Sequence, residues 1–359
     1  MPEFQKSDGQ NYAPKGISNI VCDKGEFIVG VCRMDHGHIY GMCNGLLEAG
    51  AQIGYVYDKD PKKIEAFLKS FPDAKVVDNQ EALLDNPKIN LIATSAIPNE
   101  RFEIGLKTLD KGKDFFSDKP PFTTMEQLDL AKAKVKETKL KWFVYYSERL
   151  HVEAAVYAGN LIEEGRIGEV VSIKGWGPHR LDKKNRPNWF FNKEQYGGII
   201  VDIGSHQLEQ ALYYAKAKDA KLISSRVGNL KNSEYPLLED YGDATYITDN
   251  NIPCYISVDW FTPDGLSTWG DGRLIISGTK GYIEIRKYLD VAASKETDHV
   301  IVVDEESENH YCVHNKVGFP FFGQMIRDCL DRTELAISQE HTFKAIELAI
   351  IAENEAVVM

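Results

Sequence analysis

The chain has 359 residues, a length suited to two domains. Apolar residues make up 43% and charged residues 27%, the balance of a globular protein. Acidic side chains outnumber basic ones 54 to 42, giving a formal net charge of −12, which argues against a general nucleic-acid backbone binder. No apolar run approaches the roughly 20 residues of a membrane span. The first twenty residues are polar and lack the apolar stretch of a secretion signal. Six scattered cysteines form no CxxC pair, which predicts no disulfide framework and no cysteine metal site. These features predict a cytoplasmic protein that meets neither nucleic acid nor membrane.

After an arm over residues 1–25, strand and helix signals alternate. Short apolar runs at 26–32, 53–58, 76–77, 91–94, 114–117 and 141–146 read as strands. Helical stretches lie between them, one opened by Pro61 at a position where proline loses no hydrogen bond. Strands separated by such helices predict a doubly wound parallel sheet, a Rossmann-type domain over 26–148. Beyond it the rhythm changes. A helix over about 152–164, a strand at 170–176, a polar loop at 181–196 and a helix after Gly197-Gly198 precede a series of strands from Leu222 to about Val303. Two closing helices follow. The expectation is a second α+β domain over 149–359 with a large, mainly antiparallel sheet, its closing helices able to pack back on the first domain.

In a doubly wound sheet the first strand–helix turn holds a dinucleotide pyrophosphate. Here that turn is Gly30-Val-Cys-Arg-Met-Asp-His-Gly-His38, which keeps Gly30 and Gly37 but not GxGxxG. Arg33, Met34, His36, Gly37 and His38 are its candidate cofactor contacts. Asp58, at the end of the second strand, suits hydrogen bonds from adenosine-ribose hydroxyls and would repel a 2′-phosphate, so it favours NAD over NADP. The competing reading makes Asp58 a cap of the helix at Asp60-Pro61. His36 and His38 lack a third ligand of matching spacing, so no metal site is expected. His310 and His314 flank a segment that reads as extended.

Three later segments carry a resemblance. Leu91-Ile-Ala-Thr-Ser-Ala-Ile-Pro-Asn99, then Asp118-Lys119-Pro120, then Gly197-Gly-Ile-Ile-Val-Asp-Ile-Gly-Ser-His206 resemble the ordered motifs of the Gfo/Idh/MocA oxidoreductases. Asp118 stands one methylene shorter than that family's glutamate, and the shortened glycine turn departs from its pattern. The resemblance implies cofactor contacts at Ile97, Pro98, Asn99, Asp118 and Lys119, and a catalytic group of Lys119, Asp202 and His206. The chemistry of the residues agrees. Oxidising a secondary alcohol moves a hydride to nicotinamide while a base takes the hydroxyl proton. An imidazole, with a reference pKa near 6.5, suits that transfer, and an ammonium stabilises a developing alkoxide. Asp202, four residues before His206, either binds substrate hydroxyls or steers the imidazole.

Arg149 matches a basic position near the family's domain junction and either binds substrate or pairs with Glu148. Trp176, His179 and Trp189 are candidate substrate contacts, while Trp260 is expected in the core. The resemblance implies an NAD-dependent dehydrogenase of a sugar, cyclitol or glycoside, attack at the sugar C3 hydroxyl being one form of it. Its alternatives are a redox-neutral glycosidase that keeps its cofactor bound, and a non-catalytic NAD-binding sensor. A large sheet with one helical face leaves the other for pairing, so a homo-oligomer is expected.

Overall fold

The computed structural model describes residues 16–17 and 19–359; the rest of the expected arm lies outside the described residues. Among these the chain divides into two units, one running through Tyr145 and including Pro320–Phe343, the other formed by Tyr146–Phe319 with Lys344–Met359. The first unit thus takes back a segment that lies almost two hundred positions later in sequence. No helix among the described residues is long and apolar enough to cross a membrane.

The first unit is built on six parallel strands, β1 (Ile28–Cys32), β2 (Gln52–Tyr57), β3 (Lys75–Val76), β4 (Leu91–Thr94), β5 (Asp114–Asp118) and β6 (Trp142–Tyr145), in the order β3-β2-β1-β4-β5-β6. Strands β4, β5 and β6 are buried throughout, as a sheet covered on both faces requires. Five helices connect them: α1 (His38–Glu48), α2 (Pro61–Ser70), α3 (Gln80–Leu84), α4 (Pro98–Asp110) and α5 (Met125–Thr138). Asp60 caps α2 by accepting the Lys62 N–H at 2.9 Å, and Pro61 takes the first helical position. Gly105 in α4 has no Cβ because the Trp142 ring of β6 fills that space.

The second unit opens with α6 (Ser147–Leu150) and α7 (Glu153–Glu163), then β7 (Val170–Pro178), α8 (Lys193–Tyr196) and α9 (Ser205–Ala215). The strands β8 (Ala220–Gly228), β9 (Tyr241–Thr248), β10 (Pro253–Asp259), β11 (Arg273–Gly278), β12 (Gly281–Arg286), β13 (His299–Asp304) and β14 (Glu308–Cys312) follow. Helices α10 (Pro320–Asp331) and α11 (Gln339–Asn354) and the short β15 (Val357–Val358) close the chain. The nine strands run β14-β13-β12-β11-β7-β10-β9-β8-β15. Pairing is antiparallel except at β7–β10 and β8–β15. The expected strand series ends too early. The polar edge strand β14, which contains the extended His310 segment, lacks the apolar run that marks a buried strand, yet pairs with β13 over its length.

Side chains alternate between the faces of this sheet. Gly175 and Gly177 of β7 face α9, and their missing Cβ atoms leave room for Gln207. Lys174 and Trp176 therefore point to the opposite face, with Tyr255, Ile275 and Tyr282 on neighbouring strands.

Candidate functional site

In the first unit the residues at the carboxyl edge of the parallel sheet are tied together by backbone and carboxylate. Asp58 Oδ2 accepts the Met34 N–H at 2.6 Å and Oδ1 accepts the Asp60 N–H at 2.9 Å. Asp58 thus holds the β1–α1 turn to the end of β2, while Asp60 does the capping that the competing reading gave to Asp58. Arg33 adopts φ +60°, a left-handed conformation that usually calls for glycine. Its guanidinium bonds Asp35 at 3.1 Å and also reaches Glu100. His36 N–H donates to Ser95 O at 3.0 Å, fixing the turn against the end of β4.

Gly30 requires a correction. It lies inside β1, and a Cβ there would sit 2.8 Å from Ile89 and 2.9 Å from Ile92. It is a packing glycine with apolar side chains over it, so it offers no cradle for phosphate. Gly37 does stand at the start of α1, as that helix's cap residue.

Asp118 ends β5 fully buried and gathers four donors. His38 Nδ1 lies 2.9 Å from its Oδ1, His36 Nδ1 3.2 Å and Arg101 3.1 Å from its Oδ2, and the Lys119 N–H donates to Oδ1 at 2.8 Å. Burial raises its pKa, but the charges of His38 and Arg101 and the histidine hydrogen bonds outweigh it and hold the carboxyl well below its ordinary range. Burial, then the neighbouring His38, pushes His36 down to about 3, so its ring is neutral near pH 7. Asp118 thereby supplies the third ligand type that the sequence reading found missing beside His36 and His38. Arg101 and the Lys119 amide already occupy that carboxylate, which is the arrangement of an ion-paired anchor. A second carboxylate–histidine group, Glu153, Asp298 and His314, is likewise engaged: Glu153 accepts the N–H of Val317 at 2.9 Å, and Asp298 that of Ala154 at 3.1 Å.

Lys119 is buried and precedes Pro120 through a cis peptide bond. Ile97, Pro98 and Asn99 form the first turn of α4. Asn99 Oδ1 is buried without a hydrogen-bond donor, an acceptor that fits a ribose hydroxyl or a carboxamide of a dinucleotide. With Asp58 at the end of β2, this edge fits an adenosine–nicotinamide cofactor.

In the second unit Gly197 and Gly198 both take positive φ and lead into a π-helical turn over Ile200–Gly204, continuous with α9. Asp202 lies within that turn and His206 one residue into α9, both buried. A π turn advances more than four residues per revolution, so this spacing brings the two near one helical face. The His206 ring packs edge-on to Tyr146 at 6.4 Å between centroids.

Arg149 pairs with Glu209 and not with Glu148. Its Nε donates to Glu209 at 2.7 and 2.9 Å, and its guanidinium stacks 4.0 Å over Tyr213. Glu148 instead accepts Gln207 Nε2 at 2.6 Å and faces His179 at 3.5 Å and Lys287 at 3.6 Å. Glu148, Gln207, Gln210, Leu274 and Lys287 line a small cleft. His179 joins this group through Glu148. Trp176 does not: strand alternation turns it to the opposite face, where it is 42% exposed beneath Arg273. Trp189 is half-buried beside Phe190 in a 3-10 turn, and Trp260 is buried against Phe190 and His179. Gln207 and Lys287 are not marked by any sequence motif, and Glu148 stands out only as a partner for Arg149. Gln207 was visible only as the neighbour of His206, and Lys287 meets Glu148 through sheet pairing that no local pattern encodes.

The description of an oxidoreductase family with an NAD-binding Rossmann fold, Gfo/Idh/MocA, matches residues 27–146. The family's C-terminal domain matches residues 156–284. The chain belongs to the Gfo/Idh/MocA oxidoreductases. Among family relatives, the scyllo-inositol 2-dehydrogenase (NAD(+)) of Bacillus subtilis is 24% identical, over 91% of this chain and 92% of its own. A solved putative oxidoreductase from Erwinia carotovora atroseptica is 44% identical with a TM-score of 0.90, covering 93% of this chain and 100% of that one. A 3-ketoreductase from Actinomadura kijaniata solved with NADP shares the fold at 15% identity and a TM-score of 0.73, over 93% of this chain and 98% of its own. Family membership therefore carries an NAD-binding Rossmann fold, and the proteins this chain resembles include one named for NAD(+) and one solved with NADP.

Proposed function

We propose that this chain is an NAD-dependent dehydrogenase that oxidises a secondary hydroxyl of a sugar, cyclitol or glycoside. The observation that carries the proposal is the Asp202–His206 pair on one continuous π-to-α element, in a chain whose first unit keeps Asp58 and Lys119 at the carboxyl edge of its sheet. When bound, the nicotinamide accepts the hydride. His206 holds and removes the hydroxyl proton, and Asp202 binds a substrate hydroxyl or steers the imidazole. Lys119 supplies a fixed cation for the oxygen that becomes an alkoxide. Asp58 accepts the ribose hydroxyls and disfavours a 2′-phosphate, with Arg33, Met34, His36, Gly37 and His38 forming the turn beside it.

On the substrate side, His179 with Glu148 and Lys287 offers both acceptors and donors to a polyhydroxylated ligand, and Trp189 an aromatic face. Arg149, locked onto Glu209, holds α6 to α9 and leaves substrate contact to these neighbours. The open face of the large sheet, with Trp176, Tyr255, Ile275 and Tyr282 exposed in adjacent strands, supports assembly of a homo-oligomer through that face.

The testing experiment follows NADH formation over polyols, free sugars and O- and C-glycosides, with aglycone release recorded in parallel. Net NADH on a carbohydrate supports the dehydrogenase. Aglycone release without net NADH replaces it with a redox-neutral glycosidase, and NAD binding without turnover on any of them leaves a sensor.

A further inference from the structure

Gly198, which leads into the Asp202–His206 segment, lies against a cluster of charge whose two carboxylates are buried. Lys193 Nζ reaches Glu353 Oε1 at 2.6 Å and also bonds Glu239. Each carboxylate accepts an N–H from the segment itself, Ile199 N to Glu239 Oε2 at 3.0 Å and Ile200 N to Glu353 Oε2 at 3.0 Å. The Glu239 backbone N–H in turn donates to the Tyr196 hydroxyl at 2.9 Å. Gly198, at φ +99°, must be glycine on two counts: the backbone is left-handed, and a Cβ would overlap the Glu353 carboxyl group.

The first amides of a helical segment lack partners within it. Here two carboxylates from distant parts of the chain, one on α11 and one just before β9, take two adjacent amides. We infer that Glu353, with Glu239 and Lys193, is a positioning residue that sets the phase of the π-helical turn and so the aim of Asp202 and His206. This rests on the proposed function only in giving those two residues the chemistry.

Two carboxylates here share one ammonium. Burial, and then the charge of Glu239, pushes Glu353 up to about 8, so near neutrality the pair retains one acidic proton. The other titratable groups around the cluster are Tyr196, kept protonated by burial, and Asp202, whose charge acts on Tyr196. A folded pKa above the ordinary 4.5 gives a stabilising contribution that is complete below that value and lost as pH rises through about 8.

The experiment compares Glu353→Gln, Glu353→Ala and Glu239→Gln with the wild-type chain. Melting temperatures are taken from about pH 4 to pH 9, imidazole NMR signals of His206 are recorded, and kcat and KM are measured on the best substrate. Glu353→Gln keeps the acceptor without the charge. It should flatten the loss of stability between pH 4.5 and about 8, leave the His206 signals in place and keep kcat within about threefold. Glu353→Ala should shift the His206 signals and lower kcat by about 10-fold to 100-fold with KM for NAD unchanged, the scale of a misaimed catalytic group. Glu239→Gln, which relieves the like charge and keeps the amide acceptor, should also reduce the loss of stability over that interval. Unmoved His206 signals in a folded Glu353→Ala, or a Gln variant as impaired as the Ala variant, would overturn the assignment. Should no carbohydrate be oxidised at all, the functional reading fails while the NMR and melting results still decide this one.

Discussion

Asp118 shows how much a single side chain does at the sheet edge. It anchors two imidazoles and a guanidinium and receives the amide of Lys119. The backbone on which Lys119 sits is therefore fixed before any ligand arrives, which is what electrostatic stabilisation of a developing charge requires. Lys119→Ala should cut turnover by about 10²–10³ while NAD affinity stays near wild type, because the ammonium serves the reacting oxygen and not the adenosine. Steady-state kinetics beside a binding titration checks this; turnover within about threefold removes Lys119 from the mechanism. Asp58→Ser should weaken NAD and narrow its advantage over NADP. Removing the carboxylate takes away both a ribose acceptor and a repulsion, while the lost bond to Met34 N loosens the turn. An unchanged NAD-to-NADP affinity ratio would reduce Asp58 to a strut of the turn. Lys119, Asp202 and His206 were legible because short motifs carry them. Glu148 with Gln207 and Lys287 was not, because the contacts that define it join residues 59 and more positions apart.

At the scale of elements, the β1–α1 turn departs furthest from the glycine-rich pattern and is the most heavily cross-linked. His36 is held neutral inside it, its pKa pushed from 6.5 to about 3 chiefly by burial. The unfolded chain binds that proton more readily, so stability should fall as pH drops from 6.5 towards 3, by at most about 1.4 kcal/mol per pH unit for this one group. His151, buried in the second unit and also pushed down to about 3, adds to the same window. His36→Asn should therefore reduce, without abolishing, the acid slope in a melting series. An unchanged slope would mean that His36 is charged in the folded chain. The parallel strands were legible from apolar runs bounded by turns, to within a few residues. The π-helical turn was not, because its hydrogen bonds depend on carboxylates supplied by α11 and by the segment before β9.

At the scale of the molecule, the order of strands and helices followed from the alternation of patterns, but the division of the closing helices did not. Pro320–Phe343 belongs to the first unit because Phe322 fills the space beside Gly45, and Arg332 holds Asp114 at 2.6 Å. The open face of the nine-stranded sheet leads to an expected homo-oligomer. Replacing Trp176 or Ile275 with a charged residue should lower the mass seen by light scattering without unfolding the chain, since both side chains lie outside the core. A wild-type monomer would refute that expectation. The central claim is NAD-linked oxidation with His206 as the base. Its most direct test is the rate of NADH appearance on a carbohydrate hydroxyl for the wild-type chain and His206→Asn, measured across pH. The wild-type rate should rise as the imidazole loses its proton, and the variant rate should be about 10²–10⁴ lower with that dependence gone. A variant that keeps the wild-type rate and pH dependence would contradict it.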